Sequence, residues 1–187
     1  LAYALVSGTS SIDLYFDEQL DPITAEVLEA EVGLVENNIY TPLGYLQGDV
    51  TFPTEDFRVV RVAYDGGFSP GIVYQVRTNG ATDCWGNMLG SGVFDQTRFA
   101  VPEDAEPGDL ILNEVLFDPY QGGTDFVEVY NRSDKNISLK GWQMANEDNG
   151  IPDNFSEVTD IPRILYPGEY FVFTESVVGV TAFYPNA

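Results

Sequence analysis

Stretches of alternating hydrophobic and polar residues recur along the chain. In residues 11–17, Ile12, Leu14 and Phe16 alternate with Ser, Asp and Tyr, which is the two-residue period of a β-strand with one buried face. Further strands are predicted over residues 31–36, 56–64, 72–78, 92–100, 110–117, 125–131, 137–142 and 170–174. Many short strands separated by turn residues are typical of an all-β sandwich.

Turn-forming residues separate the predicted strands. The polar cluster at residues 131–134 predicts a tight antiparallel hairpin between strands 125–131 and 137–142. Residues 37–38, Thr41-Pro42 and Gly44 predict breaks after the strand at 31–36, and residues 147–153 predict a polar loop. Asp21-Pro22 predicts the N-cap and first residue of a short helix that runs to about Glu29.

Residues 101–109 are predicted to form the boundary between two domains. Residues 101–109 hold two prolines and four acidic residues, and they predict a stiff, solvated linker. The chain is therefore interpreted as two tandem β-sandwich domains, residues 1–104 and 105–187.

Four motifs in the second domain carry a resemblance to a known family. They are residues 111–115 (ILNEV), 125–131 (DFVEVYN), 138–142 (SLKGW) and 165–170 (LYPGEY). In this order and spacing they resemble a lamin-tail domain over roughly residues 108–187. The matching residues are Asn113, Glu114, Asp125, Glu128, Asn131, Gly141, Trp142, Pro167 and Gly168. The resemblance implies an Ig-like fold and an exported location in bacteria, often beside hydrolases or nucleases. Family domains continue for several more strands, so the second domain is expected to be truncated at its C-terminus.

The first domain carries a shorter resemblance. Residues 12–22 (IDLYFDEQLDP), a strand ending near residues 74–76, and residues 83–87 (DCWGN) are similar to the opening and closing segments of a bacterial Ig-like domain of the SbsA type. The two resemblances together imply two tandem Ig-like domains of a bacterial surface or secreted protein.

Composition narrows the classes of function. Hydrophobic residues make up 44% of the chain and aromatics 13%, which is enough for a packed core. There are 30 acidic and 8 basic residues, for a net charge of −22. This charge opposes nucleic-acid binding, which needs Lys and Arg on phosphates, and it opposes contact with anionic membranes. We expect no nucleic-acid partner and no direct membrane insertion of this chain.

The absence of histidine bears on catalysis. Without histidine the chain has no Ser-His-Asp or Cys-His pairing and no histidine metal site, and its single cysteine forms no intramolecular disulfide. We expect no enzyme activity, no catalytic residues and no cofactor, with Ca²⁺ as the one candidate ion.

Two acidic groups are weak candidates for that ion. They are Asp17, Glu18 and Asp21 in one segment, and Asp83 with Asn87 in another. Oxygen ligands of this kind suit Ca²⁺, although the spacing fits no EF-hand loop. The interpretation favoured here is structural: helix capping and solvated charge for the first group, and hydrogen bonds within its own turn for Asp83.

Glu128 is the least expected residue in its strand. Alternation places it with Phe126 and Tyr130 on a face expected to be inward, where a carboxylate needs partners. The candidates are backbone N–H groups of a nearby turn, or Arg132 and Lys140. The alternative is that Glu128 faces solvent or a binding groove.

Glu114 is expected to lie beside Glu128 if their strands pair. Paired carboxylates can do acid–base work or bind metal, but a structural role for both is favoured.

The sequence therefore predicts a non-catalytic surface or secreted module that spaces, presents or attaches other domains through protein or glycan contacts. Two alternatives stay open: a Ca²⁺-dependent carbohydrate- or protein-binding module, and an accessory fragment of a larger secreted hydrolase or nuclease. The expected location is extracellular, cell-surface or periplasmic in a bacterium.

Overall fold

Antiparallel strands are the main secondary structure of the chain, and its two helices are short. The structure, a computed structural model, describes residues 1–36, 39–45, 47–89, 95–159 and 162–185. It divides into two units, Leu1–Val101 and Pro102–Ala187. The prediction of two all-β sandwiches is confirmed.

The first unit holds two four-stranded sheets, in the orders β1-β2-β6-β5 and β4-β3-β7-β8. Every neighbouring pair in both sheets is antiparallel. The strands are β1 (Tyr3–Val6), β2 (Ser11–Tyr15), β3 (Glu29–Glu36), β4 (Ile39–Tyr45), β5 (Gln47–Thr51), β6 (Val59–Ala63), β7 (Val73–Asn79) and β8 (Asp95–Ala100).

Both sheets contribute to one hydrophobic core. Fully buried residues of the first sheet are Ile12, Leu14 and Val60, and those of the second are Val32, Val76 and Phe99. Phe16, just beyond β2, is buried as well, so the inward face predicted for residues 11–17 is confirmed. Side chains from two inner faces interdigitate in this way in a sandwich.

The predicted helix is present but short. Helix α1 (Pro22–Ala25) has Pro22 in its first turn, and the Asp21 side chain accepts a hydrogen bond from the backbone N–H of Ile23 at 2.9 Å. The helix was expected to reach about Glu29. It ends earlier because Glu29 already pairs with Asn79 as the first residue of β3.

The breaks predicted at Thr41-Pro42 and Gly44 are wrong, because these residues lie inside β4. Pro42 pairs with Gly33 next to a register shift. Strand β4 is the edge of its sheet, and an edge strand tolerates a proline, which lacks a backbone N–H. Residues 37–38, and residues 92–94 of another predicted strand, lie outside the described residues.

The second unit is built from smaller sheets. A three-stranded sheet has the order β15-β10-β9, and two-stranded sheets join β11 to β14 and β12 to β13. The elements are β9 (Leu110–Leu116), β10 (Phe126–Asn131), β11 (Ile137–Ser138), β12 (Gln143–Asp148), β13 (Ile151–Glu157), β14 (Ile164–Leu165), β15 (Tyr170–Thr174) and α2 (Val177–Thr181).

Two local predictions in this unit are wrong. Strand β10 pairs with β9 and β15, not with residues 137–142, so the predicted tight hairpin is absent. The segment predicted as a polar loop at 147–153 belongs to the β12–β13 hairpin instead. Its turn residues Asn149 and Gly150 both have positive φ, 52° and 80°, as a two-residue turn of the I′ type requires.

The segment predicted as a solvated linker is partly ordered against the second unit. Glu103 forms a bridge with Ile137, and its backbone N–H donates to the Asn136 carbonyl at 2.8 Å. The Lys135 ammonium lies 3.0 Å from an Asp109 carboxylate oxygen. The backbone N–H of Glu106 and this ammonium hold the pKa of Asp109 below its ordinary value, so the acidic residues here bind their neighbours.

Candidate functional site

Strand β10 is the centre of the three-stranded sheet and carries the unusual carboxylate. Glu128 lies directly opposite Glu114 of β9 on one side and Val172 of β15 on the other. The next pair along β9 is Val129 with Leu112, so Asn113 is an extra residue in a bulge. A bulge redirects a side chain, and here the Asn113 amide donates to a Glu128 carboxylate oxygen at 2.7 Å.

Glu128 is less buried than expected. It is half-buried, although Phe126 on the same face of the strand is only 7% exposed. The adjacent Val129, on the other face, lines an apolar cleft. The partners expected for Glu128 are wrong. The Arg132 guanidinium donates to the carbonyl of Gly108 at 2.6 Å, and no ion pair joins Lys140 to Glu128 among the described residues.

Ring contacts account for the burial of the aromatic residues on the Glu128 face. Phe126 packs edge-on against Tyr184, with centroids 5.6 Å apart. Tyr130 lies against Tyr170 on the neighbouring strand, at 4.6 Å. Aromatic rings that pack on one another bury apolar area without a second sheet. The burial of Phe126 therefore says little about Glu128, two residues along.

The apolar cleft opens beside β9 and has a volume of about 220 Å³. Its wall includes Leu110, Leu112, Val129, Leu139, Trp142 and Phe173. Trp142, one of the motif residues, is 38% exposed at this wall. The cleft is thus a partly open gap between the three-stranded sheet and the segment around Leu139.

Strand β9 is an edge of its sheet. Among the described residues it pairs with β10 alone. Its side chains are poorly covered, since Leu112 is 68% exposed and Val115 is 52% exposed. An open edge with exposed apolar residues is a template for pairing with another strand.

Asn131 closes the other end of β10. It is fully buried, and its amide donates to the carbonyls of Lys135 and Leu165 at 2.8 and 2.9 Å. Its side-chain oxygen accepts from the backbone N–H and the hydroxyl of Ser133 at 3.0 and 2.7 Å. Such a fully satisfied buried amide ties a turn to a neighbouring strand.

Pro167 and Gly168 lie beside Asn131. They are the central residues of a turn in which the Glu169 N–H donates to the Tyr166 carbonyl, and Gly168 has φ of 76°, as a type II turn needs. The Gly168 N–H then donates to the Asn131 carbonyl at 2.9 Å. The structure therefore brings three of the motif residues together as a structural joint.

The two remaining motif residues lie elsewhere in the unit. Gly141 has φ of 79° in the turn where the Trp142 N–H donates to the Leu139 carbonyl. Asp125 is exposed, and its carbonyl accepts from the Thr174 hydroxyl at 2.9 Å. Both contacts shape the chain and leave the motif without a common chemical centre.

The two candidate calcium segments of the first unit lie side by side. Leu20 forms a bridge with Asp83, and the Cys84 N–H donates to the Gln19 carbonyl. Asp21 caps α1, whereas Asp17 and Glu18 are exposed. In the parts of the chain that the structure describes, no three acidic, histidine or cysteine residues are grouped to hold a metal.

Asp83 is used by its own turn. One carboxylate oxygen accepts from the backbone N–H groups of Trp85 and Asn87, both at 2.8 Å, and the other accepts from the Asn87 amide at 2.7 Å. The hydrogen bond from the Asn87 side-chain amide is the main reason why the pKa of Asp83 lies below its ordinary value. These contacts are those of a turn-stabilising aspartate.

Sequence reasoning missed one charged pair. Alternation puts Asp13 on the face of β2 opposite Ile12 and Leu14, yet Asp13 is only 7% exposed. It lies opposite Arg61 of β6, whose Nε and Nη2 donate to its two oxygens at 2.6 and 2.8 Å. The opposite charges at outward positions were the available signal, and the pairing of β2 with β6 was needed to use it.

The fold is that of an Ig-like β-sandwich protein. Its second unit contains the structural joint around Asn131 and the open edge formed by β9. The family described as Lamin Tail Domain matches residues 103–183, which confirms the resemblance carried by the four motifs. The SbsA-type interpretation of residues 1–104 stays a prediction. No curated protein matches the chain.

Two solved structures are similar to the chain at low identity. The S-layer protein rSbsC(31-844) has 14% identity and a TM-score of 0.45, over 93% of this chain and 32% of that one. The N-terminal part of the bacterial S-layer protein SbsC has 14% identity and a TM-score of 0.43, over 92% and 42%. The chain thus spans less than half the length of either. No helix within the described residues has the length and apolar character of a membrane span.

Proposed function

We propose that this chain is a non-catalytic module of a bacterial surface or secreted protein, which spaces, presents or attaches other domains through protein or glycan contacts. The observation that carries the proposal is the open edge of the second unit, where Leu112 and Val115 are exposed beside an apolar cleft. Exposed apolar residues grouped at one place mark interaction sites more often than isolated ones do.

The hydrogen bonds that the buried polar side chains make support a non-catalytic role. The best-buried candidates for chemistry, Asp83 and Asn131, have their polar atoms bound to neighbouring backbone. An acid–base or nucleophilic group needs a free reactive atom within reach of a substrate. The net charge of −22 supports a soluble module that repels nucleic acid and anionic membranes.

A binding measurement with the full chain tests this proposal. The labelled chain is titrated onto intact bacterial cells, purified cell-wall glycan and the secreted protein fraction, each with CaCl₂ and with EDTA. We expect saturable binding to at least one of them that is the same in both buffers. Binding lost in EDTA would favour the Ca²⁺-dependent alternative instead.

A panel of esterase, glycosidase, phosphodiesterase and peptidase substrates completes the test. We expect no turnover by the chain. Turnover, or the absence of saturable binding to all three materials, overturns the proposed function.

A further inference from the structure

We propose that β9 is a docking edge for an extended segment of a partner protein in which apolar residues alternate with Lys or Arg. This inference rests on the proposed function and names the surface and the chemistry of the partner. The partner segment adds to β9 as a further strand, placing its apolar side chains at the cleft and its basic side chains beside Glu114 and Glu128.

The backbone of β9 offers the hydrogen bonds. Within the described residues its free side pairs with no other strand. Natural sheets protect such edges with charged side chains, Pro, β-bulges or a covering segment. The first unit follows this rule at β4, which contains Pro42. Strand β9 has the sequence LILNEVL with neither Lys nor Pro, and its bulge at Asn113 leaves Leu112 and Val115 exposed on either side.

The cleft offers the apolar contacts. Leu110, Ile111 and Leu112 of β9 all line it, so the edge and the cleft form one continuous surface. An added strand lies about 4.7–4.9 Å from its neighbour, close enough for every second side chain to extend the apolar wall. This combination of main-chain pairing and side-chain pockets is how sheets recruit extended peptides.

The charges select the partner. Glu114 and Glu128 are directly opposed on β9 and β10, and like charges in that position repel. The contact that Glu128 makes is with the neutral amide of Asn113. The ion pairs of the second unit join Lys135 to Glu106 and Asp109, so within the described residues neither opposed glutamate is paired with a cation. A basic side chain on an added strand supplies one.

The same charges disfavour a second copy of this chain as the occupant. Strand β9 itself contains no Lys or Arg and one Glu. Two β9 edges would add another carboxylate where a cation is needed, between chains that each carry −22. Like-charge juxtaposition suppresses the wrong partner in this way.

The test uses the full chain and three blocked nine-residue peptides. The first alternates Lys and Val, the second has the same composition in scrambled order, and the third alternates Glu and Val. Calorimetric titration measures affinity, and hydrogen–deuterium exchange locates the bound peptide. We expect the alternating Lys–Val peptide to bind at least tenfold more tightly than either control, and to slow exchange in β9.

Matched variants separate local from overall charge. Glu114→Lys is expected to weaken binding of the Lys–Val peptide at least tenfold, and Glu114→Gln by a smaller factor. Glu55→Lys changes the net charge equally at an exposed position of the first unit, and it should leave the affinity within twofold. Exchange across β10 and β15 verifies that each variant stays folded.

Several results would overturn the inference: equal affinity for the scrambled peptide, equal losses from Glu55→Lys and Glu114→Lys, or protection located outside β9. A concentration-dependent dimer in sedimentation that Glu114→Lys strengthens would assign the edge to a second copy. If the peptide fails but the chain binds cells or glycan, the docking edge is wrong and the proposed function stands. If the peptide binds but no surface or secreted material does, the proposed function fails.

Discussion

The two units place charged residues at the same kind of position and treat them in opposite ways. In the first, Asp13 lies directly opposite Arg61, and the guanidinium holds both carboxylate oxygens. In the second, Glu128 lies directly opposite Glu114, and its contact is one amide of a bulge residue. Cross-strand pairs of opposite charge stabilise a sheet, and like charges destabilise it. The first pair therefore serves the fold, and the second leaves an unneutralised charge at the surface.

The apolar residues of β2 are also more deeply buried than those of β9. Strand β2 has partners on both sides, and its Ile12 and Leu14 are fully buried. Strand β9 is an edge, and its Leu112 and Val115 are more than half exposed. Apolar area removed from water stabilises a fold in proportion to its size, so β9 contributes less to its own unit than β2 does. The exposed area is what a partner can still bury.

The largest expected effect lies at the joint of the second unit. Asn131→Ala removes four hydrogen bonds, two of them to the carbonyls of Lys135 and Leu165, so it should destabilise this unit by roughly 2–4 kcal/mol. Urea unfolding is followed by Trp142 fluorescence in a Trp85→Phe background, since the chain has two tryptophans and Trp85 is 90% exposed. The exposed Asn146→Ala is the control. A change below about 0.5 kcal/mol would show that the joint is dispensable.

The charged pair of the first unit should come next. Asp13→Ala leaves Arg61 without its partner and should destabilise this unit by about 1–3 kcal/mol. Asp13→Asn should cost less, because it keeps one acceptor. Hydrogen–deuterium exchange in β2 and β6 reads the effect, with the exposed Asp65→Ala as control. If exchange in both strands were unchanged, the Asp13–Arg61 pair would contribute as little to stability as Glu128 is expected to contribute.

Acid should weaken the first unit through Asp83. Its pKa is lowered from 3.8 in the folded chain, so the carboxylate contributes stability above the unfolded value, and this contribution is lost as the pH falls through the folded pKa. Urea midpoints of the first unit, read by exchange between pH 6 and pH 2, should fall less steeply for Asp83→Asn than for the wild type. Parallel curves would mean that the Asn87 contacts do not perturb this carboxyl.

A much smaller effect is expected at Glu128. Glu128→Ala loses the bond from Asn113 but removes the repulsion from Glu114, and these changes offset each other to within about 0.5 kcal/mol. Glu128→Gln should be neutral or slightly stabilising. The Trp142 urea assay measures both variants. A loss above about 1 kcal/mol would place Glu128 with Asp13 as a residue required by the fold.

Calcium should have no effect on the first unit. The oxygens of Asp83 already accept from Trp85 and Asn87, and a cation would have to displace these bonds. Thermal melts with CaCl₂ and with EDTA should therefore coincide. A higher midpoint in calcium, abolished by Asp83→Asn, would establish the alternative in which this turn binds the ion.

Local signals were enough for much of the fold. The alternation at residues 11–17 placed Ile12 and Leu14 in the core, and Asp21-Pro22 marked the start of α1. Pro167-Gly168, part of the fourth motif, forms a turn in the structure. Each of these outcomes depends on side-chain periodicity or backbone preference within a few residues. The chain of 187 residues therefore encodes the strand content and the lamin-tail resemblance in its sequence alone.

Tertiary structure decided the strand partners and the inward faces. Pro42 lies in a strand because β4 is an edge, and Asp13 is buried because β6 brings Arg61 to it. Glu128 is only half-buried, although Phe126 and Tyr130 on the same face pack against Tyr184 and Tyr170. Strand alternation separates two faces without saying which one is covered. That choice depends on residues far away in sequence, and only packing brings them together.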